Sequence, residues 1–258
     1  MELYLEVCKN FGVKNSLSQL RTLLIIVAMD VEEQALLDRA TYQEVTYGKR
    51  FKIKTKRFSA NDRKIIVANS GVGLVNAALT VATIYEHEQI DTILALGVGG
   101  ALCPTLQIGD TVIANKIIQH DSVLSNEKGR RLIAAGELTL SLPDNQQIDP
   151  VIKCNAELIG WLQKTFTSAR TGTILSGSEF VGCTKRKKLL KETHPEALLV
   201  DMETGAIAQL ARKLNIPFAV AKTVADRANP ETSVSEDYKT FLKQAAANSA
   251  RVLRAISS

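Results

Sequence analysis

Histidine, paired cysteine and long apolar runs are all scarce in this chain, and each scarcity excludes something. The three histidines, His87, His120 and His194, stand alone. They form no H-x-x-x-H or H-E-x-x-H spacing, so no metal site is expected. The four cysteines, Cys8, Cys103, Cys154 and Cys183, lie far apart with no C-x-x-C pair. They describe neither a disulfide framework nor a zinc site and read as reduced thiols of a cytoplasmic protein. No apolar run reaches the roughly 18–20 residues that span a bilayer. The longest lies near 23–29, and the stretch 89–102 is broken by Asp91, Thr92 and glycines. The first twenty residues scatter Glu2, Glu6, Lys9 and Lys14 among apolar ones, without a basic segment leading an apolar one. No secretory signal and no membrane partner are therefore expected. Gly-X-Y and heptad periods, internal repeats and low-complexity linkers are lacking too.

What is present suits a globular domain. Apolar residues make up 45% of the 258 and charged residues 23%, which is close to the average for folded proteins. The length allows a sizeable core. Residues 1–20 read as an N-terminal extension with a short amphipathic helix, and 21–258 as a single domain. The formal charge is +5, and the basic residues cluster. Lys185, Arg186, Lys187 and Lys188 form one run, with Lys191 behind it. Lys49, Arg50, Lys52, Lys54, Lys56 and Arg57 form another, alternating with Phe51, Ile53, Thr55 and Phe58 as a strand with one wet face would. Both groups read as solvated surface. Aromatic interleaving is absent from the 185–191 run, and no nucleic-acid partner is expected.

The run 23–29, largely β-branched and apolar, fits a central strand buried on both faces. Further strands are expected at 51–58, 64–69, 92–97, 110–118, 171–176, 197–201 and 217–224. Helices are expected at 31–39, 73–86, 150–168, 184–193, 203–214 and 235–256. This alternation predicts an α/β fold: a twisted, mixed but mostly parallel central sheet flanked by helices. In such sheets ligands bind beyond the C-terminal strand ends, so those ends are where chemistry is sought.

Several of these ends are chemically loaded. Ala28-Met29-Asp30-Val31-Glu32-Glu33 sets three acids at a helix head, where they either favour the macrodipole or face a ligand. Asn69-Ser70-Gly71-Val72-Gly73 and Gly97-Val98-Gly99-Gly100-Ala101 offer close backbone approach and free N–H groups, or are merely turns. Neither matches a P-loop or a dinucleotide fingerprint. Asp201-Met202-Glu203 and Val224-Ala225-Asp226 place further acids after apolar strands. A carboxylate in apolar surroundings is costly unless it accepts hydrogen bonds, and a vicinal diol supplies two donors. Acids in different environments divide the roles of base and acid.

The ordered set Ala28-Met29-x-x-Glu32, Ser70-Gly71-Val72-Gly73, Gly97-Val98-Gly99-Gly100, Pro104-Thr105-Leu106-x-Ile108-Gly109-Asp110, Ser176-Gly177-Ser178-x-Phe180-Val181, Val200-Asp201-Met202-Glu203 and Val224-Ala225-Asp226 resembles the purine nucleoside phosphorylase/nucleosidase superfamily. It is most similar to bacterial 5′-methylthioadenosine/S-adenosylhomocysteine nucleosidases, from about residue 23 onward. The resemblance implies a nucleoside phosphorylase-like fold and cleavage of an N-glycosidic bond to release adenine, without a cofactor. It implies Glu32 as the base that activates water and Asp226 as the acid that protonates adenine. Glu203 would hold the ribose hydroxyls with Met202 against the sugar. Phe180 would stack on the purine, Val181 would meet its edge, and Val72, Val98 and Gly100 would line the pocket. Val98 and Ala225 stand where the nucleosidases usually carry a hydroxyl, and Ser178 where an Asp is frequent.

The family also implies a small-molecule nucleoside substrate, a place in methionine salvage, and a homodimer. The apolar stretch Ala101-Leu102-Cys103-Pro104-Thr105-Leu106 is expected to meet the partner. Water rather than phosphate is expected as nucleophile, since no basic residue occurs in the Ala28–Gln34 segment to hold an anion. The alternatives are a phosphorylase and a non-catalytic nucleoside-binding protein of the same fold.

Overall fold

The computed structural model describes residues 21–37, 40–127, 129–135, 148–227, 247–248 and 250–256. The expected N-terminal extension and its helix lie outside these residues. So does most of the helix expected at 235–256, of which 247–248 and 250–256 are helical.

The first strand, β1 (Thr22–Val27), is buried at every position. It runs parallel between β4 (Arg63–Asn69) and β5 (Thr92–Ala101). Its alternate side chains feed two cores. Leu24 and Ile26 join the cluster with Ile66, Ala68, Ile93 and Ala95. Leu23, Ile25 and Val27 join Ile65, Val67, Leu94 and Leu96 on the other face. Each buried Leu, Ile or Val among them contributes about 1.5–3 kcal/mol by leaving water, and a strand wet on neither face has no reason to alternate polar residues.

Helices cover both faces. On one side lie α1 (Asp30–Leu37), through Leu36 and Leu37, and the 250–256 helix, through Val252, Leu253 and Ile256; on the opposite side lies α2 (Leu74–Tyr85). α3 (Ala156–Thr165) adds Leu158 and Leu162 beside α1. α4 (Thr184–Thr193) packs Leu190 into a third cluster, and α5 (Thr204–Leu214) lies against α2. Among the described residues no helix is long and apolar enough to cross a membrane.

The expected twisted mixed sheet is present, and half of it closes on itself. The remaining strands are β2 (Gln43–Tyr47), β3 (Ile53–Ala60), β6 (Thr111–Gln119), β7 (Val123–Asn126), β8 (Gly129–Leu132), β9 (Val151–Lys153), β10 (Arg170–Ser176), β11 (Ala197–Asp201) and β12 (Phe218–Asp226). The main sheet runs β11-β10-β6-β12-β5-β1-β4-β3-β2, with β9 on β6. β11 also pairs antiparallel with β5, Leu199 opposite Ala101 and Val200 opposite Gly100. That pairing folds β5, β12, β6, β10 and β11 into a barrel and brings the ends of β5 and β11 together.

Several expectations need correction. The helix expected at 150–168 begins as strand β9, and the helix starts only at Ala156. Asn155 caps it by accepting from the Leu158 N–H. Strand β5 does not stop at Gly97 but continues through the glycines to Ala101. Within the stretch 101–106, Ala101, Leu102 and Leu106 are buried in this chain, which leaves Cys103, Pro104 and Thr105 at the surface.

Candidate active site

The acids at the head of α1 separate by environment. Asp30 accepts from the Asn69 side chain. Glu33 pairs with Lys56 at 2.9 Å. Glu32 turns inward and is 1% exposed. Its Oε2 accepts the Ala28 and Met29 N–H groups at 2.8 and 3.1 Å, and its Oε1 accepts the Val98 N–H at 3.0 Å. Two donors occupy Oε2, whereas Oε1 keeps one acceptor position for a proton. Burial pushes the Glu32 carboxyl above the ordinary range, against the pull of Lys222 and of the Ala28 N–H. A raised carboxylate of this kind is a stronger base than a solvated one.

Gly97 makes room for that carboxylate. Its φ is +126°, and a Cβ there would lie 2.6 Å from Glu32 Oε1. Gly100 does the same for the second acid, since a Cβ on it would lie 2.7 Å from Asp226 Oδ1. The glycines of β5 therefore serve close approach within a strand, not a turn after it.

Asp226 ends β12 beside a register shift: Val224 pairs with Gly99 and Asp226 with Gly100, so Ala225 is an extra residue. A bulge re-aims the side chain that follows it, and Asp226 lines the pocket as a result. Burial pushes its carboxyl up, opposed by Lys187.

Glu203 follows β11 and is buried. Its Oε1 accepts the Gly73 N–H at 3.0 Å, and its Oε2 lies 3.4 Å from Lys222 Nζ. Each oxygen retains an acceptor position, the complement of two neighbouring hydroxyls. Burial raises the Glu203 carboxyl, with Lys222 acting the other way.

Glu32, Val72, Val98, Gly100, Phe180, Val181, Met202, Glu203 and Asp226 thus line one cavity of about 210 Å³. Phe180 stands at the mouth with 67% of its surface exposed. Among the described residues lining the cavity, none is Lys or Arg.

Two residues were given no site role by sequence reasoning. Lys222 is 2% exposed and lies 3.3 Å from Asp201 Oδ2 as well as 3.4 Å from Glu203. Burial works to lower its pKa, but Asp201, Glu203 and Glu32 raise it on balance, so it stays charged. It is the buried counter-charge that lets these carboxylates crowd together. A lysine inside the apolar strand FAVAKTVAD is a signal in the sequence. Lys187 is the second, and it corrects the reading of 185–191 as solvated surface. It is 2% exposed and sits 2.8 Å from Asp226 Oδ2. Its clue is spacing: three residues before Leu190 it shares the buried face of α4.

Comparison with known proteins agrees in kind with this geometry. The model of the phosphorylase superfamily matches residues 22–258. The 5′-methylthioadenosine/S-adenosylhomocysteine nucleosidase of Staphylococcus haemolyticus is 31% identical over 233 residues, 90% of this chain and 97% of that one. The crystal structure of the nucleosidase of that name from Neisseria meningitidis, in complex with methylthio-immucillin-A, superposes with a TM-score of 0.77. It is 27% identical and the match covers 92% of this chain and 99% of that one. A futalosine hydrolase of Helicobacter pylori shares the fold at a TM-score of 0.75 and 24% identity, over 92% of this chain and 97% of that one.

Proposed function

The chain belongs to the phosphorylase superfamily, and on that premise we propose that its pocket hydrolyses the N-glycosidic bond of 5′-substituted adenosines such as methylthioadenosine and S-adenosylhomocysteine, releasing adenine. The protein is a nucleosidase, an N-glycosidase of the hydrolase class. The observation that carries the assignment of roles is the placement of Glu32 and Asp226 on one cavity whose lining, among the described residues, includes no cation. Phosphate needs positive partners, whereas water needs a base.

In this reading water attacks C1′ of the ribose and Glu32 Oε1 takes its proton. The C1′–N9 bond breaks with its electron pair going to adenine, and Asp226 donates a proton to N7. The bond that forms is C1′–O, and the products are adenine and the free 5-substituted ribose. Glu203 accepts the 2′- and 3′-hydroxyls, and its charge with that of Glu32 favours the cationic sugar of the transition state. Met202 lies against the sugar, Phe180 stacks on the base and Val181 borders it. Val72, Val98 and Gly100 complete the wall. Solvent exchange then returns a proton to Asp226 and removes one from Glu32.

Assembly as a homodimer belongs to the same reading, and so does a cytoplasmic place in methionine salvage. Support for the dimer comes from α2. Its sequence LVNAALTVATIY is apolar nearly all round, yet Val75 is 79% exposed and Val72, at the pocket wall, is also exposed. A helix apolar on every side calls for cover on every side, and a second copy would cover it beside the pocket.

The test is adenine release from methylthioadenosine with and without inorganic phosphate. A phosphate-independent rate with free sugar as product supports the reading. Accumulation of a sugar 1-phosphate would make the protein a phosphorylase, and tight nucleoside binding without turnover would make it a binding protein.

A further inference from the structure

Lys187 is the member of the basic run that the protein takes inside. It reaches from α4 to the end of β12, where its Nζ lies 2.8 Å from Asp226 Oδ2 and donates to the Arg227 carbonyl at 2.6 Å. The other carboxylate oxygen, Oδ1, is buried with no hydrogen-bond partner among the described residues. It lies against Gly100, which lines the pocket. An ammonium group has only donors. The carbonyl oxygen of a protonated carboxyl is the better acceptor, so Lys187 favours Oδ2 as that oxygen and the proton on Oδ1.

We propose that Lys187 is a positioning residue for Asp226, holding one carboxylate oxygen so that the other, enclosed against Gly100 of the pocket wall, keeps the proton that passes to the departing base. This rests on the nucleosidase reading of the site. The proton passes from Oδ1 to the base nitrogen as the glycosidic electron pair leaves with the base, and the carboxylate left behind stays beside the Lys187 charge. Among the described residues, the groups that act on Asp226 are Lys187 from α4 and the Ala101 backbone from β5, and both favour its ionised form against burial. Lys187 also links two parts of the site. α4 begins just after the loop that carries Phe180, so the residue against the base and the residue that protonates it are tied through one ion pair.

The test compares wild type with Lys187→Met and Lys187→Arg in two measurements: the pH profile of kcat, and the titration of the Asp226 carboxyl followed by ¹³C NMR. In Lys187→Met the Asp226 titration is expected to rise by about one to three pH units. The alkaline limb of kcat should move with it, and the plateau should fall by roughly tenfold or more, part of the 10²–10⁴ that a general acid supplies. KM should change little, and Lys187→Arg should restore both limb and plateau. A folded Lys187→Met protein with an unmoved titration and limb, or with a change in KM alone, overturns the proposal. If Lys187→Met does not fold, Lys187→Gln asks the same question with a neutral donor: an upward shift supports the proposal and none overturns it. The NMR titration needs no turnover. A shift in Lys187→Met beside a wild type that releases no adenine leaves the pairing standing and removes the nucleosidase reading. Normal adenine release with no shift removes the role of Lys187 alone.

Discussion

Glu32 accepts backbone N–H groups on both of its oxygens, which makes Glu32→Gln a more revealing change than an isosteric swap usually is. The amide must turn its NH₂ toward one of those donors, so a buried donor loses its partner at about 1–3 kcal/mol. Cleavage is expected to fall by at least about two orders of magnitude, with a lower Tm by calorimetry. A helix-dipole role alone, worth about 0.3–1 kcal/mol, predicts near-normal turnover. The pH profile carries the same logic. In the proposed mechanism Glu32 must be ionised, so the rate should fall as pH drops through its pKa, and burial sets that limb above the ordinary glutamate value of about 4.3. The same mechanism needs Asp226 protonated, so the rate should fall again as pH rises through its own raised pKa. Asp226→Asn should lower kcat by roughly two orders of magnitude or more and erase the alkaline limb from the residual rate. A residual rate that keeps that limb assigns it to another group.

The elements were legible where burial is complete and obscure where it is not. β1, β4, β5 and β12 are buried over most of their lengths and stand in the sequence as apolar runs. β2 is mostly exposed and β7 and β8 form a separate two-stranded ribbon, so no apolar period marks them. β9 is three residues long and merges with the helical pattern that follows. The site was legible at its acids and glycines because strand ends are where such residues are unexpected. Its two lysines were not, since a lysine reads as surface until its buried partners are known. Glycine shows how context decides at this scale. Gly97→Ala meets both a positive φ and Glu32 Oε1 and should cost about 1–3 kcal/mol in backbone strain alone, with loss of activity. Gly160 sits inside α3 with nothing within 4 Å of a new Cβ. Gly160→Ala should stabilise the protein by about 0.5–1 kcal/mol and leave turnover unchanged. Denaturant melts and rates of the two variants check both statements.

On the scale of the whole molecule, the outer face of α2 decides assembly. Sedimentation at micromolar concentration should give twice the chain mass of 28.1 kDa, and Val75→Glu should halve it, since a charge at the centre of an apolar contact is costly to desolvate. A monomer with full activity would count against the dimer. The closure of the barrel has a consequence in time as well as in space. Gly100 and Val200 are neighbours across β5 and β11, yet about a hundred residues of chain must be looped before they meet, and contacts of such separation form late. Glu32 accepts the Val98 N–H of one of these strands, and Glu203 follows the other. On dilution from denaturant, helical signal should therefore return before enzymatic competence, and the interval between them is the time the chain takes to find its own far side.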